Sequence, residues 1–333
     1  MKKHQTGRRE QRLVDTLKAL LPMELSPATL VYDEGGYVGR WLGHVHPSST
    51  VWNRWNIADS AGKTEPPNTP VQMAVIRLPH SKDALSYALN MIAGRLVPGG
   101  KLWICGSNDE GIKSTAKRLE PLFEKIETVG VKNHCRLLIG RRTDASARCR
   151  IDDWWIHRTL VLEQESVDWY ALPGVFAQGR LDPATALLLN HLPPLKPNSR
   201  ILDFACGTGI ISWACQRRDN TLSISASDAD SLALKAAQRN VGHVRLIQSD
   251  GWRAFGNEQF DMIISNPPIH SGKSEDHSVL DQLIDGARKR LSSGGQLILV
   301  GQGRLGLEAR MKAGFAGARC MAKNTRFQVW SSR

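Results

Sequence analysis

The chain has 333 residues, 41% apolar and 23% charged, a globular composition that excludes disordered, collagen-like and low-complexity classes and predicts two domains. Its 44 Lys and Arg against 32 Asp and Glu give a formal charge of +12. No apolar run approaches the ~18 residues a membrane span needs, and the charged N-terminus MKKHQTGRREQRLVDTL lacks the apolar stretch of a secretory signal.

Taken in chain order, RLVDTLKALLP (12–22) carries apolar residues at helical spacing and predicts a helix facing a core. VQMAVIRLP (71–79) predicts a buried strand, KDALSYALNMIAGRL a helix, and VPGGKLWICG a second strand; a further helix and HCRLLIGRR close the first half. TDASARCRIDD (143–153) is polar and unpatterned and reads as a linker. Trp154-Trp155 behind it is expected to pack on the second domain, with stacking on RNA as the other reading. From there strand and helix patterns alternate: SRILDFA, GIISWACQRR, LSISASD, DSLALKAAQRN, VRLIQSD, FDMIISNPP, HSVLDQLIDGARKRL, QLILVG and TRFQVWSSR. Such alternation implies a doubly wound, mostly parallel sheet.

The halves repeat one plan. Arg95-Leu96 and Gly99-Gly100 correspond to Arg290-Leu291 and Gly294-Gly295 at a constant offset of 195, so two similar domains by duplication is the economical reading. The expected boundaries are 1–143, a linker 144–158, and 159–333. Residues 1–150 hold 23 basic and 14 acidic residues and the remainder 21 and 18. A basic half beside a near-neutral half points to a polyanionic partner, with a solvated surface as the alternative. Only the second half has an acid and glycines after its first strand and Asn-Pro-Pro after its fourth. The first has Arg77-Leu78-Pro79-His80 at the latter place and no acidic glycine loop.

Asp203-Phe204-Ala205-Cys206-Gly207-Thr208-Gly209 leaves a strand and enters a helix. Gly207 and Gly209 allow a tight turn and close approach of a ligand. The third glycine of a dinucleotide fingerprint is Ser212 here. An Asp at the start of the loop repels a pyrophosphate and suits the ammonium of an amino-acid-bearing cofactor. Asp228 closes the second strand, where a carboxylate accepts ribose hydroxyls, and Asp250 closes the third, where it accepts from an adenine amino group. The prolines of Ser265-Asn266-Pro267-Pro268-Ile269-His270 fix φ. The Asn266 side-chain oxygen and the Pro267 carbonyl then form an acceptor pair for a planar –NH₂ whose nitrogen must become pyramidal to attack. Six cysteines with no C-x-x-C pair predict reduced thiols, no zinc or other metal, and a cytoplasmic location.

Asp203 to Gly209, Asp228, Asp250 and Asn266-Pro267-Pro268, in this order, resemble class I S-adenosylmethionine-dependent methyltransferases acting on exocyclic or amide nitrogen. Leu172-Pro173-Gly174-Val175-Phe176, Leu181-Asp182, and Met262 through His270 are similar to the bacterial ribosomal RNA guanine-N2 methyltransferases, the RsmC/RlmG group. The resemblance is specific over residues 169–333. It implies an α/β fold of two tandem Rossmann-like (class I methyltransferase) domains, the N-terminal one degenerate, without cofactor and serving RNA recognition. It implies S-adenosylmethionine as cofactor, held by Asp203, Cys206, Gly207, Gly209, Asp228, Asp250 and Asn266, with Asn266 and Pro267 catalytic. It implies Pro268, Ile269, His270 and Phe176 on the substrate side. The family usually has an aromatic residue where Ile269 stands, so stacking on the target base falls to His270, Phe176 or Trp252. The expected partner is ribosomal RNA or a ribosomal subunit, 30S rather than 50S, with the enzyme a monomer. Guanine N2 of 16S rRNA is the first reading. A 23S rRNA guanine, a protein glutamine, adenine N6, and a non-catalytic assembly factor remain alternatives.

Overall fold

The computed structural model describes residues 3–22, 25–34, 36–56, 62–268, 270–271, 274–275 and 277–332. The chain divides into two compact units, Met1–Trp155 and Ile156–Arg333.

The first unit runs α1 (Lys3–Leu20), β1 (Thr29–Tyr32), α2 (Tyr37–Val45), β2 (Thr50–Trp52), β3 (Val71–Arg77), α3 (Lys82–Ala93), β4 (Leu96–Ser107), α4 (Ile112–Leu119), β5 (Phe123–Lys132) and β6 (Cys135–Arg142). Its sheet has the order β2-β1-β3-β4-β6-β5. The strands β2, β1, β3 and β4 are parallel; β6 runs antiparallel to β4, and β5 pairs antiparallel with β6. Helix α1 buries Leu13, Val14 and Leu17 against Val31, Val75 and Cys105 of the sheet, the helical stripe that the spacing predicted.

The polar stretch expected as a linker is tied to this unit as far as Trp155. Arg142 Nε donates to Ala93 O (2.9 Å), Arg148 N to Asn90 Oδ1 (3.0 Å) and Ile151 N to Glu65 Oε1 (3.0 Å). Trp154 differs from expectation: its ring meets the edge of Tyr87 at 5.6 Å and its indole N–H donates to Arg148 O. A partly apolar ring with one donor finds both partners within the first unit.

The second unit opens with a hairpin that the sequence reading passed over, β7 (Ile156–Leu162) and β8 (Glu165–Ala171). It continues with α5 (Pro183–Asn190), β9 (Arg200–Phe204), α6 (Ile210–Arg218), β10 (Ser223–Asp228), α7 (Ser231–Asn240), β11 (Arg245–Gln248) and β12 (Phe260–Ser265). After a two-residue pair β13 (His270–Ser271) and β14 (Ser274–Glu275) come α8 (His277–Arg290), β15 (Leu291–Gln302), α9 (Leu307–Gly314), β16 (Arg319–Lys323) and β17 (Phe327–Ser331). The sheet order is β11-β10-β9-β12-β15-β17-β16. Only the β17 and β16 strands run antiparallel to their neighbours.

Side chains alternate across this sheet with period two. Ile201, Met262, Ile264 and Ile298 face α5, α6 and α7, meeting Ala184, Leu188, Ala214 and Ala237. Leu202, Ile263, Leu297 and Leu299 face α8 and α9, meeting Leu280, Leu283, Leu307 and Met311. Both faces are covered, so the strands read as short apolar runs rather than alternating ones. The parallel strands therefore end along one rim, where a doubly wound sheet holds its ligand. Among the described residues no helix is long and apolar enough to cross a membrane.

Candidate active site

The rim carries Asp203, Asp228 and Asn266 at or just inside the ends of β9, β10 and β12. Asp203 is 1% exposed. Its Oδ2 accepts from Ser212 N (3.0 Å) and Ser212 Oγ (2.7 Å), which pins the third residue of α6. Its Oδ1 is buried without a partner among the described residues. Burial without a cation pushes this carboxyl up to about 7, against the two Ser212 hydrogen bonds that favour the charged form.

Between Asp203 and α6 the loop is set by two glycines. Gly209, at φ 90°, caps the helix, and a Cβ there would press on Val241 and Ala237 at 3.3 and 3.4 Å. Gly207, at φ 55°, has open space where a Cβ would stand, so its backbone presents an uncovered face. Its N–H donates to Asp228 Oδ2 (2.9 Å), while Asp228 Oδ1 accepts from Asp230 N (2.9 Å). The loop and the β10 acid are thus one unit. Cys206 lies in it with its N–H on Ser227 O and its thiol against Gly207 O at 3.7 Å. Burial, then the charges of Asp203 and Asp228, raises the Cys206 thiol well above its usual value, so it stays protonated. Asp250 lies two residues beyond β11 and pairs with Arg253 at 3.7 Å, its side chain 48% exposed.

An orphaned buried carboxylate oxygen and an uncovered glycine backbone fit the ammonium and the chain of an amino-acid-bearing cofactor. Asp228, an acceptor at the end of β10 bound to the loop through Gly207 N, stands where a ribose acceptor is required.

Asn266 is held from behind. Its Nδ2 donates to Asp182 Oδ2 (3.0 Å) and to Thr185 Oγ1 (2.9 Å). A carboxylate only accepts, so the amide orientation is forced and Oδ1 points the other way. Asp182 in turn caps α5, accepting from Ala184 N (2.9 Å) and Thr185 N (3.1 Å). Sequence reading saw Asp182 only as part of a resemblance and missed Thr185. The signal present, Asp-Pro at a helix start, reports a cap and says nothing of Asn266, 84 residues away. Buried Ser265 donates to Phe204 O (2.7 Å), fixing the end of β12 against β9.

Pro267 is buried and Pro268 exposed. Ile269, and the side chain of His270, lie outside the described residues. Phe176 is 61% exposed, six residues before Asp182. Beside it Ala177 and Gln178 take φ of 54° and 50°, the left-handed region that costs a non-glycine residue about 1–3 kcal/mol. Gln178 O is held by Arg158 Nε (2.7 Å). Trp252, a candidate for base stacking, is otherwise engaged. Its indole lies on Gly286, where a Cβ would fall 2.0 Å from Nε1, contacts Phe204 at 4.5 Å between centroids and donates to Gln282 O. Its ring is a packing element between the β9 end and α8. No group of three His, Cys, Asp or Glu among the described residues is placed to hold a metal ion.

The model of the family called Methyltransferase small domain matches residues 166–331, and that of the Methyltransferase small domain N-terminal matches residues 45–157. The ribosomal RNA small subunit methyltransferase C of Shewanella baltica (strain OS155) is 30% identical over 319 residues, 94% of this chain and 89% of that protein. The protein of the same name from Shewanella sp. (strain MR-4) is 29% identical, over 94% of this chain and 90% of its own. Among solved structures, the T. thermophilus 16S rRNA N2 G1207 methyltransferase (RsmC), in complex with AdoMet and guanosine, superposes with a TM-score of 0.83 at 19% identity. The match covers 96% of this chain and 91% of that one, and it shows that both units share that protein's methyltransferase fold. The chain belongs to the ribosomal RNA small subunit methyltransferase C family.

Proposed function

We propose that the chain transfers a methyl group from S-adenosylmethionine to the exocyclic N2 of a guanine in 16S ribosomal RNA, acting in the cytoplasm as a monomer on the RNA or the 30S subunit. The observation that carries this reading is the clamped Asn266, whose Nδ2 is spent on Asp182 and Thr185 and whose Oδ1 is thereby left as an acceptor. With the Pro267 carbonyl it forms a pair that accepts from both N–H groups of an aromatic amine. That favours pyramidal nitrogen without a strong base, an electrostatic and positional contribution set before the substrate arrives. When bound, the cofactor would supply an electrophilic sulfonium methyl, toward which Asn266 Oδ1 and the Pro267 carbonyl would orient the amine nitrogen, with one N–H proton left to pass to solvent.

In this reading Asp203 holds the cofactor's ammonium, Gly207 and Gly209 its chain, Asp228 its ribose and Asp250 its adenine. Pro268, Ile269, His270 and Phe176 line the base side. Phe176, exposed on a strained turn, takes the stacking role that an aliphatic residue at 269 leaves open. Residues 1–143 form an RNA-recognition domain, and their net positive charge offsets the few kcal/mol of extruding a base.

The test is transfer of tritium from labelled S-adenosylmethionine to separated 16S RNA, 23S RNA, 30S and 50S particles and ribosomal proteins. Label in 16S RNA or 30S particles, recovered as N2-methylguanine, is the expected result. Label in 23S RNA or protein, or none although cofactor binds, overturns it.

A further inference from the structure

On the rim of the second unit, beyond Asn266, lies a polar cleft of about 660 Å³ that the reaction just described does not use. It is formed where β15 ends and the β16–β17 turn begins, and its lining includes Gln302, Arg304, Lys323, Asn324, Arg326 and Gln328. Three cations and no carboxylate line it. Glu308, which feels Lys323, is held by Lys312 at 2.6 Å. Strand spacing of about 4.8 Å and rise of about 3.3 Å per residue put the cleft roughly 10–20 Å from Asn266 along the same rim.

Lys323 and Arg326 flank a prebuilt turn, and Arg304, just past the end of β15, donates from Nε to Gln302 Oε1 (2.7 Å). Asn324 Oδ1 accepts from Arg326 N (2.9 Å) and Phe327 N (2.7 Å), and Asn324 N donates to Phe327 O (3.0 Å). Gly303 N donates to Arg326 O (3.2 Å), tying the turn to the end of β15. Arg304, Lys323 and Arg326 are exposed.

The first unit provides an internal control. Gln302 pairs with Phe327 in one unit and Ser107 with Cys135 in the other. The bridging bond recurs, Asn108 N donating to His134 O (2.9 Å). At the equivalent places stand Asp109 for Arg304, Val131 for Lys323 and His134 for Arg326, while Lys132 and Arg136 stand where the second unit has Asn324 and Gln328. The scaffold therefore forms without cations at the positions of Arg304, Lys323 and Arg326, so this particular set is not a demand of the fold.

We infer that this cleft is a phosphate-binding subsite for the RNA strand flanking the target base, a few nucleotides from the base held at Asn266. The inference rests on the RNA-methylation reading and adds an anchor within the catalytic unit itself, independent of the basic first half. Guanidinium and ammonium groups held by the turn and by the end of β15 suit successive phosphodiester oxygens.

The test compares two full-length triple variants of equal charge change. One is Arg304→Gln, Lys323→Gln, Arg326→Gln; the other is Lys196→Gln, Arg200→Gln, Arg245→Gln, at or near the opposite ends of the strands. Binding to 16S rRNA is followed by anisotropy across salt, and methyl transfer gives KM and kcat, with thermal melts to confirm folding. The cleft variant should lose about two from the slope of log K against log salt and raise KM for RNA at least tenfold. Its kcat and cofactor affinity should stay unchanged, and the opposite-rim variant should match wild type. Equal effects in both variants, or no effect in the cleft variant, overturn the inference. Added inorganic phosphate competing as well as RNA would reduce the cleft to a simple anion site and overturn it too. If wild type binds RNA but methylates none, the function reading fails, while a selective loss of binding in the cleft variant still upholds the cleft.

Discussion

The two units place opposite chemistry at one position of one scaffold. Strand register aligns Arg77 with Asn266: Met73 pairs with Lys101 and Met262 with Gln296, residues at the constant offset of 195. Asn266 offers an oxygen because two acceptors behind it take its nitrogen. Arg77 offers only donors, and they are consumed internally. Its Nη2 meets Glu10 Oε1 at 2.5 Å and Glu110 Oε1 at 2.7 Å, and its Nη1 donates to Leu78 O. The side chains of Arg77, Glu10 and Glu110 are 3%, 4% and 6% exposed. Helix α1 thus delivers a carboxylate to the place where the second unit keeps the amide of Asn266. At this position the first unit presents a side chain with donors only, which cannot accept from an amine as Asn266 can.

The comparison breaks first at Arg77. Arg77→Ala leaves Glu10 and Glu110 buried together without their cation, and about 3–5 kcal/mol of stability should be lost, read by urea unfolding. Cofactor affinity of the protein that stays folded should not change. A wild-type unfolding midpoint would mean that the cluster is no keystone. Next is Asn266→Ala, expected to cost about 10²–10³ in kcat, the scale of removing one preorganised polar group at a reacting centre. Cofactor dissociation constants within a few-fold of wild type should accompany it, and normal turnover would remove Asn266 from the reaction. Smaller still is Asp182→Ala, about tenfold in kcat, with about 1 kcal/mol of stability from the lost α5 cap. Asp182→Asn keeps an oxygen for Asn266 and should recover most of the rate. A cap acting alone would restore stability in that variant but leave kcat where it was.

What could be read from the sequence followed from burial on two faces. FDMIIS, SRILDFA and QLILVG are strands covered on both sides, so each shows as a short apolar run. The β7–β8 hairpin has alternating exposure and lies outside the main sheet, so its pattern gave no comparable signal. In the first unit the acid of the first loop escaped notice because it is displaced. Asp33 Oδ2 accepts from Gly39 N (2.9 Å), the third residue of α2, as Asp203 does from Ser212. By register, however, Val31 stands where Asp203 does, and only three residues separate Asp33 from the capping Gly36 against six from Asp203 to Gly209. The first unit thus retains a shortened acidic glycine loop, contrary to the sequence reading. The glycine loop and Asn-Pro-Pro of the second unit were legible as local chemistry. The clamp on Asn266 was not, because it joins a helix cap to a strand end that only the fold brings together.

The shortened loop also sharpens the last contrast. Asp33 accepts from Gly39 N at the start of α2, whereas Asp203 keeps one buried oxygen without a partner among the described residues. Since Asp203 titrates near 7 in the folded chain against an ordinary value of 3.8, its protonated form stabilises the fold fully below about pH 4. That contribution fades as pH rises through 7, because the folded state binds the extra proton. A cofactor ammonium prefers the ionised carboxylate, and it loses its own charge near pH 8, the range of an α-amino group. Affinity for S-adenosylmethionine should therefore rise roughly sixfold between pH 6 and about 7.5 and fall again above about pH 8. Calorimetry in buffers of different ionisation enthalpy should show proton release on binding at pH 6. Asp203→Asn should bind more weakly, with a flat profile over the acid limb, while gaining stability relative to wild type as pH climbs from 5 to 8. A wild-type rise that survives in Asp203→Asn would assign the titration to another group and leave Asp203 as a cap on α6, the role Asp33 plays on α2.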